Sequence, residues 1–376
     1  MADRYDLAVV GAGVMGLAHA LAAARGGRRV VVIEREARAV GASLRMAGLI
    51  TVAGHSAGAS WRRAKRSREI WADVCAKAGV RIEHEGLAVV ARRAEAAIAL
   101  EAFVATESGA GCAFYRPDDA HALFPHFKGD IAGVFWSPDE IRVEPRAALP
   151  RISAWLADAH DVAFRWETAV TAIEDGLVRT SRGAIAAEAV VVCPGDDFRS
   201  LCAEALVGAG LTRAKSQMLR VRCEDGFELP GAVASDLAIP RLPAFDGLDG
   251  ADALRARLEA EQPDHLRQGV SMLASQSADG SVALWGSRQI EATPDPFQSE
   301  AIDELILEEF EAVFGKRPKE VLARWTGVYA FSADRSVVVE APSDRVRVVV
   351  AASSVGASSA FAVGEDTIAE LYGKTG

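Results

Sequence analysis

Asp6-Leu7-Ala8-Val9-Val10 runs directly into Gly11-Ala12-Gly13-Val14-Met15-Gly16, and an alanine-rich stretch from Leu17 to about Arg25 leads on to Arg29–Ile33 and Glu34. The spacing predicts a buried strand, a glycine turn, a helix, a second strand and a terminal acid, in that order. Gly11 permits the tight turn, Gly13 lets the backbone approach a pyrophosphate, and Gly16 lets the helix pack closely on the sheet. The helix start offers free N–H groups and the positive end of its dipole to phosphates. Glu34 stands where a carboxylate accepts hydrogen bonds from a ribose diol, and it disfavours the extra phosphate of NADP. A lone glycine motif is weak, but the whole unit in order reads as a dinucleotide grip.

A chain of 376 residues exceeds what one core usually serves, so two domains are expected. The net charge of −10 argues against nucleic acid. The one basic run, Arg62-Arg63-Ala64-Lys65-Arg66-Ser67-Arg68, falls in a predicted helix from Ser60 to Lys77 and reads as a solvated face. Five scattered cysteines form no CxxC pair and suit a reducing compartment, and the histidines form no metal-binding cluster, so no metal is expected. The N-terminus lacks a secretory pattern, and the longest uncharged stretch, Val348–Gly364, is too short and polar for a membrane span. The expected location is the cytoplasm.

Beyond the opening unit, Gly41–Gly58 is a small-residue stretch long enough to suggest a ligand-lining loop. Helices are predicted over Glu95–Ser108, Pro145–Ala159, Glu300–Phe314 and Gly356–Leu371. Short strands fill Val162–Cys193, the last an apolar run ending in Pro194-Gly195. Alternating strands from Arg213 to Trp285 suggest a second sheet, broken by a helix near Leu254. The expected fold is α/β, with a discontinuous Rossmann-type nucleotide domain (residues 1–85, 140–215 and 316–376). A sheet-rich α+β substrate domain (86–139 and 216–315) is inserted into it. By fold analogy, a chain that returns three times to one nucleotide domain favours flavin over nicotinamide.

The whole chain resembles the FAD-dependent D-amino acid oxidase superfamily, in its glycine oxidase and sarcosine oxidase branch. The likeness rests on Tyr5–Arg35, Gly41–Leu49, Val143-Glu144-Pro145, Thr168-Ala169-Val170, Val191–Gly195 and Val355–Ser359. It implies FAD, with Glu34 on the adenosine ribose and Gly11, Gly13, Gly16 and Ser43 on the phosphates. Arg45, Met46, Ala47, Gly48 and Leu49 would lie along the ring system, Val170 near adenine, and Gly356, Ala357, Ser358 and Ser359 on the pyrimidine side. Val14, Met15, Arg35, Cys193, Pro194, Gly195, Gly327 and Val355 complete the implied cofactor set. Covalent attachment through His55 or Cys193 lacks the expected sequence context.

Ser137–Arg146, Lys215–Arg220, Thr293–Phe297 and Gly327–Ala330 further resemble a subgroup associated with aminophosphonate catabolism. The implied activity is oxidation of the C–N bond of a small anionic amine by hydride transfer to flavin, followed by imine hydrolysis. Oxygen or another electron acceptor would reoxidise the cofactor. Glycine oxidase-like enzymes carry a carboxylate-clamping arginine soon after the position of Gly327; here the run is Gly327-Val328-Tyr329-Ala330-Phe331. The subgroup also tends to carry Asn at the position of Met46 and His near Arg288. For the substrate anion the nominated residues are Arg142 and Arg288, with Arg45 and Arg335 behind them, since a guanidinium fork suits phosphonate or carboxylate. Tyr329, Lys215 and Gln217 are assigned to the site walls. A surface ion pair competes as the role of each arginine, core packing as that of Tyr329, and plain surface exposure as that of Lys215. Competing activities are glycine, sarcosine or D-amino acid oxidation, a nicotinamide-dependent dehydrogenase, and a non-catalytic cofactor-binding protein.

Overall fold

A computed structural model describes residues 4–373 and contains two large sheets. The first has eight strands, with a spine ordered Val337–Ser343, Val346–Ala351, Gly183–Val192, Arg4–Val10, Val30–Ile33, Ala163–Arg165. From Val346–Ala351 onward the spine is parallel, and the antiparallel pair Val170–Glu174 and Leu177–Thr180 extends Gly183–Val192. Strands covered on both faces read as unbroken apolar runs, which is why Val30–Ile33 is buried throughout. Alternate residues divide between the faces, as the pleat requires. Leu7, Val9, Val30, Val32 and Val191 meet the helices Val14–Arg25, Ala59–Lys77, Pro145–His160 and Gly356–Tyr372. Ala8, Val31, Ile33, Val190 and Val192 meet Phe198, Leu206 and the Leu177–Thr180 arm. The first and last helices touch backbone to backbone: a β-carbon on Gly364 would lie 2.8 Å from the Ala18 carbonyl group.

The second sheet has ten strands, ordered Gln289–Glu291, Thr212–Arg222, Val282–Trp285, Leu273–Gln276, Ala232–Ser235, Ile82–Ala91, Gly133–Val143, Leu49–Ile50. Glu320–Phe331 lies along Thr212–Arg222, and Ala113–Tyr115 along Gly133–Val143. One face packs on the helix Glu300–Phe314; the other packs on Ala94–Val104 and Ala251–Glu261 and on the Ala47–Leu49 segment.

The long helices lie within a few residues of their sequence expectations. The short Pro117–Leu123 and Pro263–Arg267 helices, each with proline in its first turn, were not anticipated because so few residues carry no periodicity. Sheet membership also differs at five places. Leu49–Ile50, Ile82–Ala91, Gly133–Val143, Thr212–Arg222 and Glu320–Phe331 were placed wholly or partly in the nucleotide pieces, yet all five pair within the second sheet. An alternating pattern marks a strand but does not say which neighbour it joins. The basic run of Ala59–Lys77 is laced by ion pairs of Arg62 to Glu107, Arg63 to Asp366 and Arg66 to Glu365. All five cysteines are free. Among the described residues no helix is long and apolar enough to cross a membrane.

Three imidazoles are held neutral by burial. His19 donates from Nδ1 to the Met15 carbonyl at 2.7 Å, and desolvation outweighs that bond, lowering its pKa to about 4. His55 and His84 are likewise lowered to about 4, chiefly by desolvation. Because the folded values lie below the ordinary 6.5, unfolding takes up protons between about pH 6.5 and about pH 4. Their contribution is complete above that window and is lost as pH falls through it. The urea midpoint should therefore drop from about pH 7 to about pH 5, and His19→Asn should show a shallower drop than the parent. Parallel slopes would remove His19 as a source.

Candidate active site

The opening turn is built where side chains cannot go. Gly11 adopts φ +99°, and a β-carbon there would lie 2.6 Å from the Cys193 carbonyl oxygen. At Gly16 it would lie 1.8 Å from the Gly11 carbonyl oxygen, and at Gly13 it would lie 3.2 Å from Ser43 Oγ. Gly13, at the N-cap of the Val14–Arg25 helix, has no side chain with which to cap it, so the positive dipole end is left to neighbouring groups and to a ligand. Ser43 Oγ accepts from Val14 N at 3.0 Å. Glu34 accepts from Ala12 N at 2.8 Å and from Glu36 N at 3.1 Å. The backbone of Thr168 donates to the Glu34 carbonyl at 2.9 Å, which brings the Thr168–Val170 segment beside the acid. A helix N-terminus, a serine hydroxyl and a carboxylate thus converge on one cradle, and the donor set fits the diphosphate and ribose of a dinucleotide. Arg35 lies at the edge, paired with Asp197 at 2.7 Å.

A second wall forms where Gly41–Gly58 meets the closing helix. Gly48 adopts φ +64°, and its missing β-carbon leaves room for the Val143 carbonyl, which would otherwise lie 2.0 Å away. Thr51 N donates to Ser358 Oγ at 2.9 Å, and Trp71 Nε1 donates to the Ala357 carbonyl at 3.0 Å. The Gly356–Tyr372 helix has no side-chain cap at its start, so a second dipole end faces this wall. Glu140, fully buried, accepts from Val52 N at 3.0 Å and Ala53 N at 2.8 Å, while burial pushes its carboxyl upward. This clamp leaves no signal in the sequence, because its partners are backbone amides about ninety residues earlier.

The Glu320–Phe331 strand joins that wall to a cationic cavity. Every second residue faces the same way, about 7 Å apart along the strand. Trp325 Nε1 donates to the Arg45 carbonyl at 2.8 Å. A β-carbon on Gly327 would lie 3.1 Å from Met46 Sδ and from Met218 Cε. Tyr329 is buried, with no hydrogen-bond partner for its hydroxyl among the described residues. Phe331 stacks under the Arg288 guanidinium at 5.3 Å. Arg288 and Arg241 both line a cavity of about 520 Å³ with the Leu266–Val270 turn and Gln289–Glu291. Arg241 Nη1 donates to the Gly269 carbonyl and to Ser271 Oγ. Burial first, and then Arg288, lower Arg241 to about 10, with Tyr329 acting in the opposite direction. Arg241 was not singled out from the sequence; its one local signal is the flanking Pro240 and Pro243, which argue for a turn rather than a strand.

Several nominated side chains are occupied elsewhere. Arg142 is fully buried and pairs through Nη2 with Glu144 at 2.9 Å, which also takes Arg220 at 3.2 Å, while its Nε and Nη1 have no hydrogen-bond partner among the described residues; it does not line the arginine cavity. Lys215 donates to the carbonyls of Asp295 and Phe297. Gln217 donates to the Ser299 carbonyl and to Asp303, and accepts from Ser299 N, tying down the start of Glu300–Phe314. Both lie on the helix side of their strand, while Met218 lies on the side of Ala47 and Leu49. The pleat therefore turns Lys215 and Gln217 away from the site. Arg335 pairs with Glu340 at 3.3 Å, and Arg45 donates to the Val40 carbonyl at 2.9 Å. Cys193 packs at the end of its strand, and burial drives its thiol strongly upward, so no reactive thiolate forms there. A larger cavity, about 910 Å³, opens behind the Ala42–Arg45 helix against Leu149, Phe164 and Trp166. It is lined by Arg38, Arg45 and Arg146, and neither cavity is lined by an unpartnered buried polar atom among the described residues.

Residues 6–371 match the family described as FAD dependent oxidoreductase, DAO. Glycine oxidase from Bacillus cereus ATCC 14579 superposes with a TM-score of 0.79 at 18% identity, over 99% of this chain and 96% of that one. L-proline dehydrogenase from P. horikoshii gives 0.81 at 18% identity, over 100% and 95%. The L-amino acid deaminase from Proteus vulgaris, with its specific insertion deleted, gives 0.76 at 19% identity, over 100% and 91%. At such identities the likeness speaks for the fold alone. No curated protein matches the chain. The cradle accepts a dinucleotide and the family match runs nearly end to end: the chain belongs to the DAO family of FAD-dependent oxidoreductases.

Proposed function

We propose that this FAD-dependent enzyme oxidises the C–N bond of a small anionic amine, and that an N-alkylated aminophosphonate fits it better than an amino acid. The observation that carries the reading is the pair Arg241 and Arg288. Both line one cavity, and neither has a carboxylate within ion-pair distance among the described residues. The run after Gly327, where the family resemblance puts a carboxylate-clamping arginine, instead holds Tyr329 with its hydroxyl unpartnered. A carboxylate brings one negative charge and would leave one guanidinium uncompensated; a phosphonate dianion compensates both.

Bound FAD supplies the hydride acceptor. The protein's task is to hold the neutral amine with its α-carbon toward the cofactor, anchored by its anionic end. Loss of a hydride from that carbon leaves an iminium, which water hydrolyses to a carbonyl compound and the free amine. The spacing of Gly327, Tyr329 and Phe331, about 7 Å per pair, suits a substrate of two or three heavy atoms between anion and amine. Ala47, Leu49, Met218 and Trp285 form the buried apolar wall on that side and exclude water. The family's FAD dependence removes the nicotinamide alternative. Oxidation of a carboxylate substrate is the second reading, favoured by the likeness in fold to a glycine oxidase and an L-proline dehydrogenase. Oxygen or another electron acceptor completes the cycle, and the five free cysteines are consistent with a cytoplasmic setting.

Gly13→Val should lower the FAD content of the purified protein at least about tenfold, because the new side chain meets Ser43 and occupies the diphosphate's approach; full retention of the yellow cofactor would misplace the cradle. Under anaerobic conditions, aminoethylphosphonate or its N-methyl form should bleach the flavin at least about a hundredfold faster than glycine, sarcosine, proline or D-alanine, about 2.7 kcal/mol of selectivity. The reverse order would establish the carboxylate reading.

A further inference from the structure

Arg241 and Arg288 come from segments some fifty residues apart, yet one turn sets both. Gly269, at φ +60°, leaves no room for a β-carbon, which would lie 2.5 Å from the Arg288 carbonyl oxygen. The carbonyl of Gly269 takes the Arg241 guanidinium, and Arg288 N donates to the Gln268 carbonyl at 3.4 Å. Arg241 is thus held by Nη1 alone, while Nε and Nη2 make no hydrogen bond among the described residues. The Arg288 guanidinium lies over the Phe331 ring and makes no side-chain hydrogen bond among the described residues.

The wall around them supplies little negative charge. Arg267 is paired with Asp264. Glu291 is exposed and lies beyond ion-pair distance of both arginines. Two guanidinium groups held near each other, away from a compensating carboxylate, are unfavourable until an anion joins them. The fixed fork of each suits an oxyanion with several equivalent oxygens.

We propose that Arg241 and Arg288 form a two-cation clamp that selects a dianionic tetrahedral head group, a phosphonate or phosphate, over a monoanion of the same shape. The clamp rests on the substrate reading above for its purpose, but its charge preference is a property of the cavity and can be measured without turnover.

The FAD-loaded enzyme is titrated with methylphosphonate, methanesulfonate and acetate, followed by calorimetry and by the visible flavin spectrum. Methylphosphonate should bind at least about tenfold tighter than methanesulfonate, which matches it in shape but carries one charge. Arg241→Gln should bring that ratio close to one, Arg241→Lys should keep most of it, and Arg288→Gln should repeat the loss by an independent route. FAD content reports on folding of each variant. Equal affinity for the two anions in the parent, or an unchanged ratio in both Gln variants, overturns the clamp. Discrimination that disappears in the Gln variants, with no phosphonate amine bleaching the flavin, upholds the clamp and defeats the substrate reading. Turnover of phosphonate amines with KM unmoved in both Gln variants leaves the reaction standing without the clamp.

Discussion

No β-carbon fits between the first strand and the first helix, and the cofactor end of the molecule depends on that. A side chain at Gly16 would drive into the Gly11 carbonyl 1.8 Å away, and one at Gly11 into the Cys193 carbonyl. Displacing the helix start would also move Val14 N from Ser43 Oγ and Ala12 N from Glu34. The constraint reaches the far end of the chain, because Gly364 allows the closing helix to lie against Ala18. Close packing of this kind transmits misfit rather than absorbing it.

From the cradle outward, the site is assembled by one ladder. Thr212–Arg222 and Glu320–Phe331 pair over most of their length, with Met218 opposite Trp325 and Ser216 opposite Gly327. One face of the ladder touches the Arg45–Met46 segment and continues to Tyr329 and Phe331. The other face carries Lys215, Gln217 and Arg324, which are spent on the Asp295–Phe297 loop and on Asp303 in the Glu300–Phe314 helix. A rigid strand therefore sets the separation between the Arg45–Met46 segment and the arginine cavity, and a helix on the opposite face keeps the strand in place. Elements are a more precise mount for such a separation than loops.

The Gly-turn unit was legible because its physics is local. The turn, the helix start and Glu34 lie within thirty residues, and each requirement falls on a particular residue type. The long helices were legible for the same reason, since periodicity and terminal signals lie within each segment. The face taken by Lys215 and Gln217 was not legible, because assigning a strand residue to a face needs the register and the identity of both neighbours. Arg142 was not legible for a related reason: an arginine two residues before Glu144 can turn to that carboxylate, as its Nη2 does at 2.9 Å, or to a ligand. Composition does not choose between them.

The amino-acid sequence alone determined the opening strand, glycine turn and helix with its terminal acid, the FAD dependence that this unit and the family resemblance imply, and the presence of two sheets. Those outcomes follow from contacts among near neighbours. Only the tertiary structure decided which arginines share a cavity. Arg241 and Arg288 are brought together by the Gln268–Gly269 turn, whose backbone contacts both segments. A pairing made through a third segment's carbonyls leaves no spacing or periodicity in the chain from which it could be read.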